Sequence, residues 1–257
     1  MSFRHLYAFA AVALLAALPV RADEVAEQWV AKARAHLGSD AALDAVHSLR
    51  FQGSFAGTEQ VPDPTDAKKT IEQPVRVGID IIFQQPMQQR QVIRSERVER
   101  VTALDGYDGW EKVEDLTGKN SPRLTLLDAM SIKRLRATTI ENLSFYAGRA
   151  AGSRQVQYLG EETVDGIICV KLSFTHGGNI VFLRYFDRAS GHLVKTVVEG
   201  GGEIREEGEL IVSGVRFPKK VTNKSSSGRS TTITFDQIIV NESFPAEFFA
   251  VPSVPLR

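Results

Sequence analysis

The last third of the chain alternates in short apolar runs, and this alternation constrains the fold more than any other feature. From Gln155 onward, runs rich in Val, Ile, Leu and Phe are separated by Val164-Asp165-Gly166, Gly177-Gly178-Asn179, Ser190-Gly191, Gly200-Gly201-Gly202, Ser213-Gly214 and Ser225-Ser226-Ser227-Gly228. Gly, Asn and Asp accept the positive φ that tight hairpin turns require, so runs joined this way return antiparallel. The runs are Gln155–Leu159, Ile167–Thr175, Ile180–Asp187, His192–Val198, Glu203–Val212, Phe217–Asn223 and Ser230–Val240. Within the second, Ile168, Val170, Leu172 and Phe174 share one face, and Ile167, Cys169, Lys171 and Ser173 the other.

The first half adds more of the same. Leu49, Phe51, Gly53 and Phe55 alternate with polar residues, and Val75–Phe83, Met87–Arg94, Arg97–Leu104 and Trp110–Asp115 read as a meander with turns at Gln85-Pro86 and Asp105-Gly106. Val61–Gln73, with two prolines and no apolar period, reads as an exposed loop. Helical patterns are few. Val25, Trp29, Ala33 and Leu37 recur every four residues over Glu24–Leu37, Ser39 or Asp40 can cap a short helix through Val46, and Ser121-Pro122 is a helix-start pattern for a segment through Arg136. Thr138–Ala147 reads as a second helical or irregular piece before a Gly- and Ala-rich loop. The expected fold class is mainly β with α: a large curved antiparallel sheet, an incomplete β-barrel of about eleven strands, with helices covering its concave face.

No composition break divides the 257 residues, so residues 23–257 are expected to form one domain after a signal peptide spanning 1–22. Arg4 and His5 precede the apolar run Leu6–Leu18, which is shorter than the roughly 20 residues of a membrane span, and Val20-Arg21-Ala22 suits a signal-peptidase site. No acylatable cysteine follows Ala22, so the expected product is a free periplasmic protein and a monomer. With 31 basic and 31 acidic residues the chain has no net field to gather nucleic acid.

Catalytic patterns are missing from the sequence. The four histidines after residue 22, His36, His47, His176 and His192, form no metal-ligand spacing, and Gly200-Gly201-Gly202 lies between strands instead of opening a helix. The doublets Glu161-Glu162 and Glu206-Glu207 read as solvated, since adjacent strand residues point to opposite faces. The single cysteine, Cys169, reads as an inert, partly buried thiol, and the basic run Lys133-Arg134-Leu135-Arg136 as the complement of a helix dipole. Neither enzyme activity, metal nor cofactor is expected.

The order of motifs resembles the LolA/LolB-like superfamily of periplasmic lipoprotein carriers. It is carried by Leu104-Asp105-Gly106 with Gly109-Trp110, the stretch Tyr158 to Gly166, Tyr185-Phe186-Asp187 with Ser190 to Val194, Gly214 to Pro218, and Phe235 to Val240 with Asn241 and Phe248-Phe249. The resemblance implies a half-barrel whose apolar concave side receives acyl chains under a helical lid, in outer-membrane lipoprotein sorting, with membrane-bound envelope proteins as exchange partners. One departure stands out. Where the carriers have an Arg-Pro pair whose arginine latches the lid, this chain has Gln85-Pro86. The alternative on the same scaffold is an envelope sensor that binds a lipid or peptide and signals through a protein partner. The apolar ligand, a lipoprotein acyl chain or another lipid, is expected against Ile168, Val170, Leu172, Phe174, Ile180 and Phe182 of two strands, with Leu127 and Met130 approaching from the covering helix. The competing expectation is that these residues simply fill a closed core.

Overall fold

The computed structural model describes residues 22–147, 155–177 and 179–253, with backbone alone at 22–23, 59–62 and 67. The signal-peptide segment and the Gly- and Ala-rich loop expected after Ala147 therefore fall outside the described residues, apart from the backbone at Ala22. Two helices open the fold: α1 (Ala22–Leu37) and α2 (Asp40–Asp44). The first strands are β1 (Ser48–Asp63), β2 (Asp66–Gln84), β3 (Gln88–Arg94), β4 (Val98–Asp105), β5 (Asp108–Asp115) and β6 (Arg123–Leu126), followed by α3 (Ala129–Ser144). Then come β7 (Gln155–Val164), β8 (Ile167–His176), β9 (Ile180–Asp187), β10 (Leu193–Val197), β11 (Glu203–Glu207), β12 (Leu210–Val212), β13 (Val215–Phe217), β14 (Lys220–Lys224) and β15 (Ser230–Val240).

Thirteen strands form one antiparallel sheet in the order β6-β5-β4-β3-β2-β1-β15-β14-β11-β10-β9-β8-β7, and β12 pairs with β13 as a small separate hairpin. The chain thus builds one wing as a meander, crosses to the far edge through α3, and returns to close against β1. Since β6 and β7 are not paired with each other, the sheet stays open, as the sequence pattern requires. At the centre, β1 pairs with β15 through a register shift between Gln52 and Gly53. A Cβ on Gly53 would stand 1.9 Å from the Thr234 carbonyl oxygen, so only glycine permits this approach. The extra residue on β15 brings Phe235 and Ile238 both into the same buried cluster as Phe51.

Two expected segments differ. Val61–Gln73 is not a loop: β1 and β2 stay paired out to Asp63 and Asp66, and beyond Ala56 on β1 and Gly78 on β2 neither finds another strand, so residues 57–75 project as a two-stranded arm. Its prolines are compatible with this because the arm has no further strand to bond. The helix expected from Ser121 starts later. Arg123–Leu126 pairs with β5, Leu126 opposite Trp110, and α3 begins where the Asp128 side chain accepts a hydrogen bond from Ser131 N at 2.7 Å. From there it runs through Thr138 to Ser144 as one helix, so the two expected pieces are continuous. The expected run Glu203–Val212 is broken at Gly208, whose φ is +69°, releasing the β12–β13 hairpin.

Cover comes from three sources. The buried stripe of α1 is Ala26, Val30 and Ala33, flanked by the half-buried Trp29 and Leu37, and it packs on β7–β10. Ser39 caps α2 by accepting from Ala42 N at 3.2 Å, and Arg34 locks the corner by pairing with Asp40 and Asp44 and donating to the Ser144 and Phe145 carbonyls at the end of α3. On the convex face of the first wing, the C-terminal segment meets Trp110, which clusters with Val101 and Ala103. There Trp110 Nε1 donates to the Phe249 carbonyl at 2.8 Å.

Candidate functional site

The strand alternation aims Leu49 and Phe51 of β1, Ile81 and Phe83 of β2, and Ile233 and Phe235 of β15 into the concavity. Across the sheet, Phe182 and Arg184 of β9, Ile204 and Glu206 of β11, and Val221 and Asn223 of β14 continue the same face, because Arg184 stands opposite Leu172, Ile204 opposite Asn223 and Glu206 opposite Val221. Over these lies α3 with Thr138, Glu141 and Asn142, followed by Phe145 and Tyr146. Between helix and sheet a cavity of about 310 Å³ is left open, at the lower end of the size range of ligand pockets.

Most of the wall is aromatic and aliphatic. Phe51 lies with its ring centroid 5.0 Å from Phe235, 5.9 Å from Phe217 and 6.2 Å from Phe83, so the rings brace one another around the empty volume. One end is polar. Glu141, buried on α3, meets His176 Nε2 at 2.5 Å and also accepts from Arg184 Nη1, which ties the helix to β8 and β9. The Arg184 guanidinium lies 4.7 Å from the Phe174 ring centroid and 4.9 Å from that of Tyr146. Its Nε has no hydrogen-bond partner among the described residues, and neither has His176 Nδ1.

Glu206 is the residue that sequence reasoning missed. Glu207 is exposed on the outer face, where it pairs with Lys220 at 2.7 Å. Glu206 instead lines the cavity with Ile204, and no described residue hydrogen-bonds or ion-pairs with its side chain. Glu206 is half-buried and lines the cavity, and burial pushes its pKa up from the ordinary 4.5, with the charge of Arg184 opposing. The available signal was strand parity: Ile204 is apolar, and two residues on share its face.

The eight residues expected around the ligand separate. Phe182 lines the cavity. Val170, Leu172 and Phe174 are 0% exposed in a cluster with Val30, Ala33, Tyr146 and Phe186, under α1 and not beside the cavity. Ile180 is buried at the start of β9, and Ile168 is 46% exposed, beyond the reach of α1. Leu127 is half-buried against Gly109, while Met130 is 40% exposed on the first turn of α3. Cys169 occupies the opposite face of β8, fully buried with Val164 and Tyr185, and burial raises its thiol pKa. Gln85 donates Nε2 to the Val46 carbonyl at 3.1 Å and lines a groove of about 370 Å³ on the other flank of α3.

No protein-family model matches the chain, and no curated protein matches it in sequence. Solved structures do share its shape. A LolA superfamily protein from Nitrosomonas europaea aligns over 88% of this chain and 97% of its own, with a TM-score of 0.55 and 13% identity. A DUF1329 family protein from Desulfovibrio piger covers 88% and 97% with a TM-score of 0.55 at 10% identity. A domain assigned to outer-membrane lipoprotein sorting from Vibrio parahaemolyticus covers 87% and 97% with a TM-score of 0.52 at 7% identity. At such identities the likeness establishes the fold, the open half-barrel that the sequence motifs implied. Among the described residues, no helix is long and apolar enough to cross a membrane.

Proposed function

We propose that this chain is a periplasmic, non-catalytic binding protein that holds the acyl chain of a lipid or lipoprotein in the cavity under α3, and that it serves lipoprotein sorting to the outer membrane. The observation that carries the reading is the cavity of about 310 Å³ walled by Phe51, Phe83, Phe145, Phe182, Phe217 and Phe235 on the concave face of an open half-barrel. An apolar volume of this size left unfilled costs stability unless a ligand occupies it, since its lining loses packing contacts on one side. The non-catalytic part is supported by the thiol of Cys169, which is sealed on the other face of the sheet. The solved LolA-type structures agree with the fold this reading needs. Native mass spectrometry of the protein purified from an envelope fraction tests it: an adduct of lipid mass is expected. A lipid-free protein that also fails to bind a fluorescent fatty-acyl probe would overturn it.

The sensor reading is favoured by one observation, the arm at residues 57–75, whose two strands bond only each other and leave both edges open to a partner. Deleting the arm separates the readings. A carrier lacking it still binds acyl probe and exchanges cargo, whereas a sensor lacking it binds probe and no longer retains its protein partner.

A further inference from the structure

An acyl-binding cavity need only be greasy, and this one is not greasy throughout. Three polar side chains line it from β9, β11 and β14, each with a polar group that no described residue bonds. Arg184 keeps one guanidinium bond for Glu141 and leaves Nε unbonded. Glu206 has no hydrogen-bond or ion-pair partner among the described residues. Asn223, diagonal to Glu206 across the β11–β14 pair, makes no side-chain hydrogen bond there either. Arg184 Nε is buried and unbonded, a costly state, while Glu206 and Asn223 are half-buried on the cavity wall, so what fills the cavity is what their polar groups meet.

We propose that Arg184, Glu206 and Asn223 form a head-group end of the cavity that binds the carbonyl oxygens of a single acyl group, so that the ligand is a one-chain acyl compound, either a free fatty acid or a monoacyl ester. This rests on the acyl-chain reading above and narrows it. The donor inventory sets the class. The Arg184 guanidinium and the Asn223 amide N–H donate, and burial raises the pKa of Glu206, so that a protonated Glu206 adds an O–H donor. The Asn223 carbonyl and the second oxygen of a protonated Glu206 can accept, fewer groups than donate, so the pocket favours a head rich in acceptor oxygens over an ammonium or a bare hydrocarbon. The positive charge that such a head meets on Arg184 is already balanced by Glu141, and so a neutral ester and a carboxylate are both admissible. Volume sets the number of chains: about 310 Å³ lies at the bottom of the ligand-pocket range, room for one chain of medium length and not several.

Isothermal titration of the folded protein, stripped of lipid, with laurate, methyl laurate and dodecylamine tests this. Laurate and methyl laurate are expected to bind, each about tenfold or more tighter than dodecylamine, because the amine leaves the donors unpaired. Laurate well ahead of its ester assigns the head to a free acid; parity or the reverse assigns it to an ester; either supports the inference. Dodecylamine equal to laurate overturns the head-group inference while leaving the acyl-chain reading intact, and no binding by any of the three overturns both. Arg184 itself is a poor test position, since its loss strands the buried Glu141. Glu206→Leu keeps the shape and removes the donor, and is expected to weaken methyl laurate about tenfold with dodecylamine unchanged, whereas Glu206→Gln, which keeps a donor, stays within about twofold of the parent. Equal weakening of the ester and the amine by Glu206→Leu would mean general damage to the cavity and would count against the assignment.

Discussion

Strands β7–β10 and strands β1, β2, β11, β14 and β15 belong to one continuous sheet, yet their concave faces end up in opposite conditions. Under α1 the face is closed, with Val170, Leu172 and Phe174 sealed against Val30 and Ala33. Under α3 it is open, with Phe51, Phe83 and Phe235 around an empty volume. Leu49, Phe51, Phe83 and Phe235 are as apolar as Val170, Leu172 and Phe174, so for these strands the difference lies in the covering helices. α1 offers a stripe of small residues, Ala26, Val30 and Ala33, which lets the helix approach until the large strand side chains fill the gap. α3 turns Thr138, Glu141 and Asn142 toward the sheet, and its Glu141 is held by His176 and Arg184 before the helix can settle onto the phenylalanines. A polar strut holds the second half apart.

The largest effect expected from this contrast is on stability. Phe174→Ala removes a ring packed on all sides in the closed half and is expected to cost about 3–5 kcal/mol, read as a lowered denaturation midpoint. The variant should still bind acyl probe under conditions where it is folded. A loss below about 1 kcal/mol would show that α1 is not a firm cover, and the distinction between the halves would fall.

A medium effect comes from adding bulk instead of removing it. Val170→Phe places a ring where no space exists and is expected to cost about 1–3 kcal/mol with binding retained. Val221→Phe, on a half-buried cavity wall, is expected to change stability by less than about 0.5 kcal/mol and to abolish probe binding by filling the volume. If the two variants behave alike in both assays, the cavity is not a binding volume and the sheet has one kind of interior.

The same contrast explains what could and could not be read from the sequence. Strand spans such as Ile180–Asp187 and Ser230–Val240 match residue for residue, because period-two alternation and positive-φ turn residues are local signals; Asp165 and Gly166, for instance, take φ of 51° and 82° as a hairpin turn demands. Alternation also places Val170, Leu172 and Phe174 on the inner face, but it cannot tell how closely a helix distant in sequence will come. That depends on whether the helix brings alanines or a carboxylate, and on which strands it crosses. Hence the closed half drew the expected site, while Leu49, Phe83 and Phe235 drew none. The delayed start of α3 has the same origin: Ser121-Pro122 is a sound helix-start pattern, yet Arg123–Leu126 gains more by pairing with β5 at the sheet edge. Glu206 was legible by parity, and the acidic doublet masked it.

The smallest expected effect is a change of slope with pH, and it probes whether the open half is dry. Glu206 holds its proton more tightly in the folded chain than in the unfolded one, because burial raises its pKa above the ordinary 4.5. Below 4.5 both states carry the proton and the group's contribution to stability is fully present. As pH rises past that value the unfolded chain releases its proton first, so stability falls until the raised folded pKa is reached and then levels off. Glu206→Gln has no proton to release and should lack this decline. Arg184, Arg216 and Glu141 also face the cavity, but all three remain in the variant, so the difference between the two pH profiles isolates Glu206. Denaturation midpoints measured from acid to neutral pH are therefore expected to converge less and less as pH rises, with the variant the more stable at the neutral end. Superimposable profiles would mean that Glu206 titrates as an ordinary solvated carboxylate, that water fills the polar end of the cavity, and that the two halves differ in shape alone and not in dielectric environment.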